Sequence, residues 1–273
     1  MFAFFLCIIA HNRFDLNDPF VFHVCLVSVD ITGSHVTTII SLIYSIFDDR
    51  KKGNPSILTE YLWELGINKN LGFHDVYSLD NEDILSVIPR PVYSLLFVFP
   101  MIISNEDKDF KKSGATLIKN DQNILWYKQT IKNSCGTIAL LHASTNGGAR
   151  DFILPDSLLQ DILNETENLN IDSRSKFIES FSQLKIIHTI EFASQGKTSP
   201  NLYENTIFHY ICFVKSSKNG HLYELDGRNP LGPIDHGILN EDLLGNQTIQ
   251  IIKKYIYERK KDIQFSLCAL APN

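Results

Sequence analysis

Between residues 56 and 65, Ile57, Leu58, Tyr61, Leu62 and Leu65 recur at helical spacing, and Pro55 near the start suits a first helical turn. A second short helix is expected over 80–87, and the apolar run over 92–99 reads as a buried strand. The charged stretch 105–114 reads as a loop. Helical patterns follow over 135–146, 155–164 and 172–179, with 182–190 continuing the last, and again over 249–259. The polar stretch 191–205 is loop-like. Runs rich in β-branched and aromatic residues predict strands at 209–214, 222–225 and 265–269. The first two are joined through Ser216-Ser217-Lys218-Asn219-Gly220, a hairpin with Asn-Gly as its turn. No internal repeat is visible.

Composition narrows the class. The chain has 273 residues, 44% hydrophobic and 21% charged, enough for one large domain with a substantial core. Its five cysteines form no CxxC pair, which argues against a disulfide framework or zinc site and for a reducing, cytoplasmic setting. The net charge of −6 suits a basic partner rather than nucleic acid. The basic triplets Arg50-Lys51-Lys52 and Arg259-Lys260-Lys261 are short enough to be solvated faces.

The candidate chemistry lies in Gln129-Thr130-Ile131-Lys132-Asn133-Ser134-Cys135-Gly136-Thr137, where a polar turn meets an apolar helical run. A helix N-terminus favours a thiolate at Cys135, and the Gln129 amide can donate to the oxyanion of a tetrahedral intermediate. Gly136 leaves room for a substrate backbone beside the thiol. Most lone cysteines are small buried hydrophobes, so a base and an orienting carboxylate are needed. His209 opens one strand of the hairpin and Asp226 ends the other, so the two can meet at its open end. Cys, His, Asp is the papain-like order.

Other groups take ordinary roles. Cys212 shares a strand with His209 but points to the opposite face. His142 follows Cys135 by two helical turns, about 10 Å along the axis, too far to be its base. His188 reads as a core or surface histidine. Cys7 and Cys25 lie near the N-terminus, and Cys268 lies in the expected last strand.

These segments, in this order, resemble the ubiquitin carboxyl-terminal hydrolase (UCH) family of cysteine deubiquitinases. The resemblance runs from Gln129–Cys135 through Phe208-His209-Tyr210-Ile211 to Leu222-Tyr223-Glu224-Leu225-Asp226-Gly227-Arg228 with Gly232-Pro233. The block from Phe73-His74-Asp75 to Leu96-Phe97-Val98-Phe99-Pro100 resembles that family's N-terminal helix and first central strand. The resemblance covers residues 54–273, and the stop at Asn273 is similar to the small single-domain fungal members. It implies an α+β, papain-like cysteine protease fold: a central, mainly antiparallel sheet flanked by helices, with a knotted backbone. It also implies a nucleophile at Cys135, a general base and acid at His209, an orienting Asp226 and an oxyanion donor at Gln129. The loop over 191–205 would cross the cleft and restrict leaving groups to small or unfolded ones.

No metal or cofactor is expected. The implied partner of a monomeric enzyme is ubiquitin, with a Nedd/Rub-type modifier as the alternative. A non-catalytic ubiquitin-binding module would require a broken site, whereas all four residues are present. Residues 1–53 match nothing in the family. Their first apolar run is about ten residues, too short to span a bilayer, and lacks a basic region ahead of it. The apolar stretch over 20–47 is interrupted by Asp30, Gly33, Ser34 and His35, so no stable membrane association is expected. An accessory segment, a weak membrane-targeting element and an upstream stretch joined to the reading frame in error all remain open for it.

Overall fold

The computed structural model describes residues 53–102, 116–117, 122–131, 134–181, 206–258 and 265–273. Helix α1 (Pro55–Leu65) begins where Asn54 accepts from the N–H groups of Ser56 and Ile57, at 3.0 and 3.4 Å. It stops where Gly66 takes a left-handed conformation at φ 112°. A side chain at Gly66 would lie 2.2 Å from Ser157 Cβ. Strand β1 (Leu71–Asp75), helix α2 (Glu82–Ser86), strand β2 (Ser94–Ile102) and the two-residue β3 (Thr116–Leu117) follow. Next come helix α3 (Cys135–Thr145), a 3₁₀ turn (Gly147–Phe152), and helices α4 (Leu158–Thr166) and α5 (Ile171–Ser180). Strands β4 (Thr206–Lys215), β5 (His221–Leu225) and β6 (Ile234–Ile238), helix α6 (Asn246–Glu258) and strand β7 (Ser266–Pro272) complete the described chain.

The described strands form one seven-stranded sheet in the order β1-β7-β2-β4-β5-β6-β3, with every pairing antiparallel. Side-chain alternation divides the core between its faces. Leu96, Cys212, Val214, Leu225 and Leu270 point to one face, packed with residues of α1, α3 and α4. Leu95, Phe97, Ile211, Phe213 and Leu267 point to the other, against Ile252 and Tyr255 of α6. All eleven residues of α3 are buried. A helix apolar all round is a core helix rather than a surface one, and Cys135 is carried on this element. The α+β class and antiparallel sheet expected from the sequence are therefore present.

Several expected boundaries move. The helix expected over 155–164 begins at Leu158 because Asp156 sits at φ 56° in a turn and Ser157 supplies the cap, accepting from Gln160 N. The short helix expected over 80–87 is confined to Glu82–Ser86, capped by Asn81. The buried strand begins at Ser94 and the last helix at Asn246. The stretch from Phe73 begins in a strand rather than a helix, since β1 pairs with β7 and Phe73 N donates to Thr59 Oγ1 at 2.7 Å. β3, β6 and the 3₁₀ turn were not expected. The readings for 1–52, 105–114, 182–190 and 191–205, with His188, Cys7 and Cys25, lie outside the described residues.

Candidate active site

Cys135 is the first residue of α3, as the change from polar turn to apolar run implied. Ser134 precedes it and donates from Oγ to Ile131 O at 2.9 Å. The thiol is largely enclosed, with Cys135 8% exposed. Sγ lies 3.6 Å from the carbonyl oxygen of Phe208, the residue before His209. The helix start is thus seated against β4 at its histidine, and the positive end of α3 favours the thiolate there.

His209 lies on β4, 3% exposed, directly across from Phe99 of β2. The two rings meet edge to face, with centroids 5.6 Å apart, which fixes the plane of the imidazole. His209 Nε2 is 2.8 Å from Asp226 Oδ1. An ionised carboxylate only accepts, so this contact places a proton on Nε2 and leaves the lone pair of the neutral ring on Nδ1. Nδ1 is buried and has no hydrogen-bond partner among the described residues. The β4–β5 pairing ends at Cys212↔Leu225, so His209 and Asp226 both sit just beyond the last paired residues, as the hairpin reading required. Asp226 Oδ1 also accepts from Arg228 N at 2.8 Å, and Trp126 Nε1 donates to the Asp226 carbonyl at 3.0 Å.

Gln129 lies on the irregular segment 122–131. Its Nε2 donates to Ile131 O at 3.1 Å, and its backbone N–H donates to Gly227 O at 2.7 Å, joining this segment to the Asp226 loop. Gly227 is needed at that crossing: a Cβ there would lie 2.7 Å from Ile138 Cγ2 and 3.1 Å from Gln129 Cβ. The side-chain amide carries two hydrogens, and the Ile131 contact uses one of them.

The structure therefore brings His209 and Asp226 into direct contact, sets Cys135 against the residue preceding His209, and ties Gln129 to the loop of Asp226. Cys212 is fully buried and belongs to the core cluster on the face away from Ile211 and Phe213, as its register implied, and burial pushes its thiol well up. Cys268 is likewise buried, and its thiol is pushed up to about 12, chiefly by desolvation. None of Cys135, Cys212 and Cys268 is in a disulfide. Among the described residues, no cluster of three or more His, Cys, Asp or Glu is arranged to hold a metal ion, and no helix is long and apolar enough to cross a membrane.

Sequence reasoning missed the supports of the Gln129 segment. His142 is not a base for Cys135; its Nε2 accepts from Tyr127 N at 2.9 Å. Burial outweighs the raising effects of Asp226, Tyr127 and Leu225, and takes its pKa down to about 3. Asn146 accepts from Leu125 N at 2.7 Å and donates to Leu125 O at 2.9 Å. The available signal was a histidine and an asparagine one turn apart in or at the end of an apolar helix, since buried polar groups must find partners.

Comparison with known proteins agrees with this arrangement. The sequence model of "Ubiquitin carboxyl-terminal hydrolase, family 1" matches residues 52–257. Ubiquitin carboxyl-terminal hydrolase 3 of Arabidopsis thaliana is 33% identical over 222 residues, covering 81% of this chain and 92% of that protein. Human ubiquitin carboxyl-terminal hydrolase isozyme L1 is 33% identical over 220 residues, covering 80% of this chain and 95% of that protein. The fold is similar to that of the Trichinella spiralis UCH37 catalytic domain, solved bound to ubiquitin vinyl methyl ester. That likeness has a TM-score of 0.62 at 21% identity, covering 81% of this chain and 94% of that one. Since the family match runs through the segments of Cys135, His209 and Asp226 and continues into α6, the chain belongs to ubiquitin carboxyl-terminal hydrolase family 1.

Proposed function

We propose that this chain is a thiol hydrolase that cleaves amide, ester or thioester bonds at the C-terminal glycine of ubiquitin. The observation that carries the proposal is the 2.8 Å contact of His209 Nε2 with Asp226 Oδ1, beside a thiol at the start of a buried helix. His209 Nδ1 accepts the Cys135 proton, and the thiolate attacks the glycine carbonyl. Asp226 holds the imidazole tautomer and stabilises its cation. The Gln129 amide and the Cys135 backbone N–H hold the oxyanion, about 3 kcal/mol for one such donor. Collapse of the intermediate expels the leaving amine, which takes the proton from His209. Water, activated by the same ring, then hydrolyses the thioester.

The catalytic unit is assigned to residues 54–273, with 1–53 as a separate leader outside the chemistry. The family resemblance and the length of 191–205 support a preference for small or unfolded leaving groups. The acidic net charge of −6 suits the basic C-terminal tail that the resemblance implies for the substrate. A monomer acting in the cytoplasm, without stable membrane attachment, fits the odd cysteine count without a CxxC pair and the interrupted apolar leader.

Parallel hydrolysis of C-terminal fluorogenic amides of ubiquitin and of a Nedd/Rub-type modifier tests the reading. Faster turnover of the ubiquitin amide is expected. Preference for the other modifier would replace the substrate while leaving the chemistry, and turnover of neither would remove the proposal.

A further inference from the structure

The segment 122–131 lies in no strand, yet its backbone from Leu125 to Tyr127 is held by side chains of α3, its C-cap and α5. Asn146, at the end of α3, forms a two-point contact with Leu125 through its amide. Arg174 of α5 donates from Nη1 to Trp126 O at 2.9 Å. His142 of α3 accepts the Tyr127 N–H at 2.9 Å. Past Tyr127 the next backbone contact is Gln129 N to Gly227 O. These side chains do for the segment what a neighbouring strand would otherwise do, satisfying backbone groups that burial would leave costly.

We infer that His142 is a positioning residue for Gln129: its fully buried ring fixes Tyr127 and so sets where the Gln129 amide stands relative to Cys135. The inference rests on the proposed oxyanion role of Gln129. The two functional groups share one rigid support. Cys135 and His142 are both on α3, and a helix buried on all sides cannot shift one without the other. The acceptor nitrogen of His142 requires the neutral ring, and burial holds it so at any pH near neutrality. His142 never meets substrate; it acts through Tyr127.

A double-mutant cycle on the full chain tests this, with turnover of a small fluorogenic ubiquitin amide as the readout. Gln129→Ala is expected to lower kcat roughly a hundredfold to a thousandfold in the unmodified protein, the usual loss for one oxyanion donor. In the His142→Leu background the same change is expected to cost less than about tenfold, with KM little altered, because the amide is already misplaced. His142→Gln, whose amide oxygen reaches the place of Nε2, is expected to restore most of kcat and most of the Gln129→Ala penalty. If His142→Leu does not fold, His142→Asn, with its acceptor too short to reach Tyr127, takes its place in the cycle. An undiminished Gln129→Ala penalty in either folded background, or failure of His142→Gln to outperform it, overturns the inference. A negligible effect of Gln129→Ala in the unmodified protein instead removes the oxyanion role on which it rests.

Discussion

His209 Nε2 lies 2.8 Å from Asp226 Oδ1, while the other nitrogen of the same ring is buried and makes no hydrogen bond among the described residues. The carboxylate fixes which nitrogen holds the proton, and the ring offers its lone pair from the opposite edge. His209→Ala should therefore remove nearly all turnover. Asp226→Asn should cost less, because it weakens tautomer control, orientation and cation stability but leaves the imidazole itself in place. Steady-state kinetics of the two variants on a ubiquitin C-terminal amide check the order; equal and small effects would remove both residues from the chemistry.

The cysteines should differ in reactivity. Burial pushes the thiols of Cys212 and Cys268 up, so neither ionises near neutral pH, whereas Cys135 sits at a helix N-terminus. Brief iodoacetamide treatment of the native protein followed by peptide mapping should show Cys135 modified well ahead of Cys212 and Cys268. Cys212→Ser should leave kcat within about twofold, while its core position costs on the order of 1 kcal/mol of stability. Comparable labelling of all three would contradict the assigned environments.

His142 carries a pH prediction. Its pKa falls from the ordinary 6.5 to about 3 on folding, so between those values the unfolded chain binds a proton that the folded chain does not. The contribution is complete above about 6.5 and is lost as pH falls toward 3, at up to about 1.4 kcal/mol per pH unit. Urea midpoints at pH 7 and pH 5 should fall further for the unmodified protein than for His142→Gln, which has no titrating ring. Identical falls would show that the buried ring does not bear this acid sensitivity.

Gly227 sits where the Asp226 loop, Gln129 and α3 converge. A methyl group there would meet Ile138 Cγ2 at 2.7 Å and the Gln129 backbone nitrogen at 3.2 Å. Gly227→Ala should cost about 1–3 kcal/mol of stability, and it should lower kcat more than it raises KM, because the displaced parts are Gln129 and Asp226. Thermal unfolding and steady-state kinetics together check both effects.

Cys135, His209 and Asp226 were legible as candidates because each marks a change of pattern. Cys135 stands where a polar turn becomes an apolar helix. His209 and Asp226 close the open end of the β4–β5 hairpin, which turns over 217–220 with only Gly220 at positive φ, a longer loop than the expected two-residue Asn-Gly turn. Parity along β4 likewise placed Cys212 in the core on the opposite face. The segment carrying Gln129 was not legible, since its backbone partners are side chains of His142, Asn146 and Arg174, far away in sequence. No periodicity encodes that kind of pairing. Strand β6 escaped for a related reason: Ile234–Ile238 contains a glycine and two charged or titratable residues, and it exists through its pairing with β5. The early start of the helix expected over 155–164 failed on Asp156, whose positive φ belongs to a turn.

Reaction of the full chain with ubiquitin carrying a C-terminal electrophile, read by intact mass and by the site of modification, addresses the central claim most directly. A single covalent adduct on Cys135 is expected, lost in Cys135→Ser, retained in Cys212→Ser and formed far more slowly in His209→Ala. No adduct, or an adduct on another cysteine that forms equally well without His209, would contradict the assignment of Cys135, His209 and Asp226 as a ubiquitin hydrolase site.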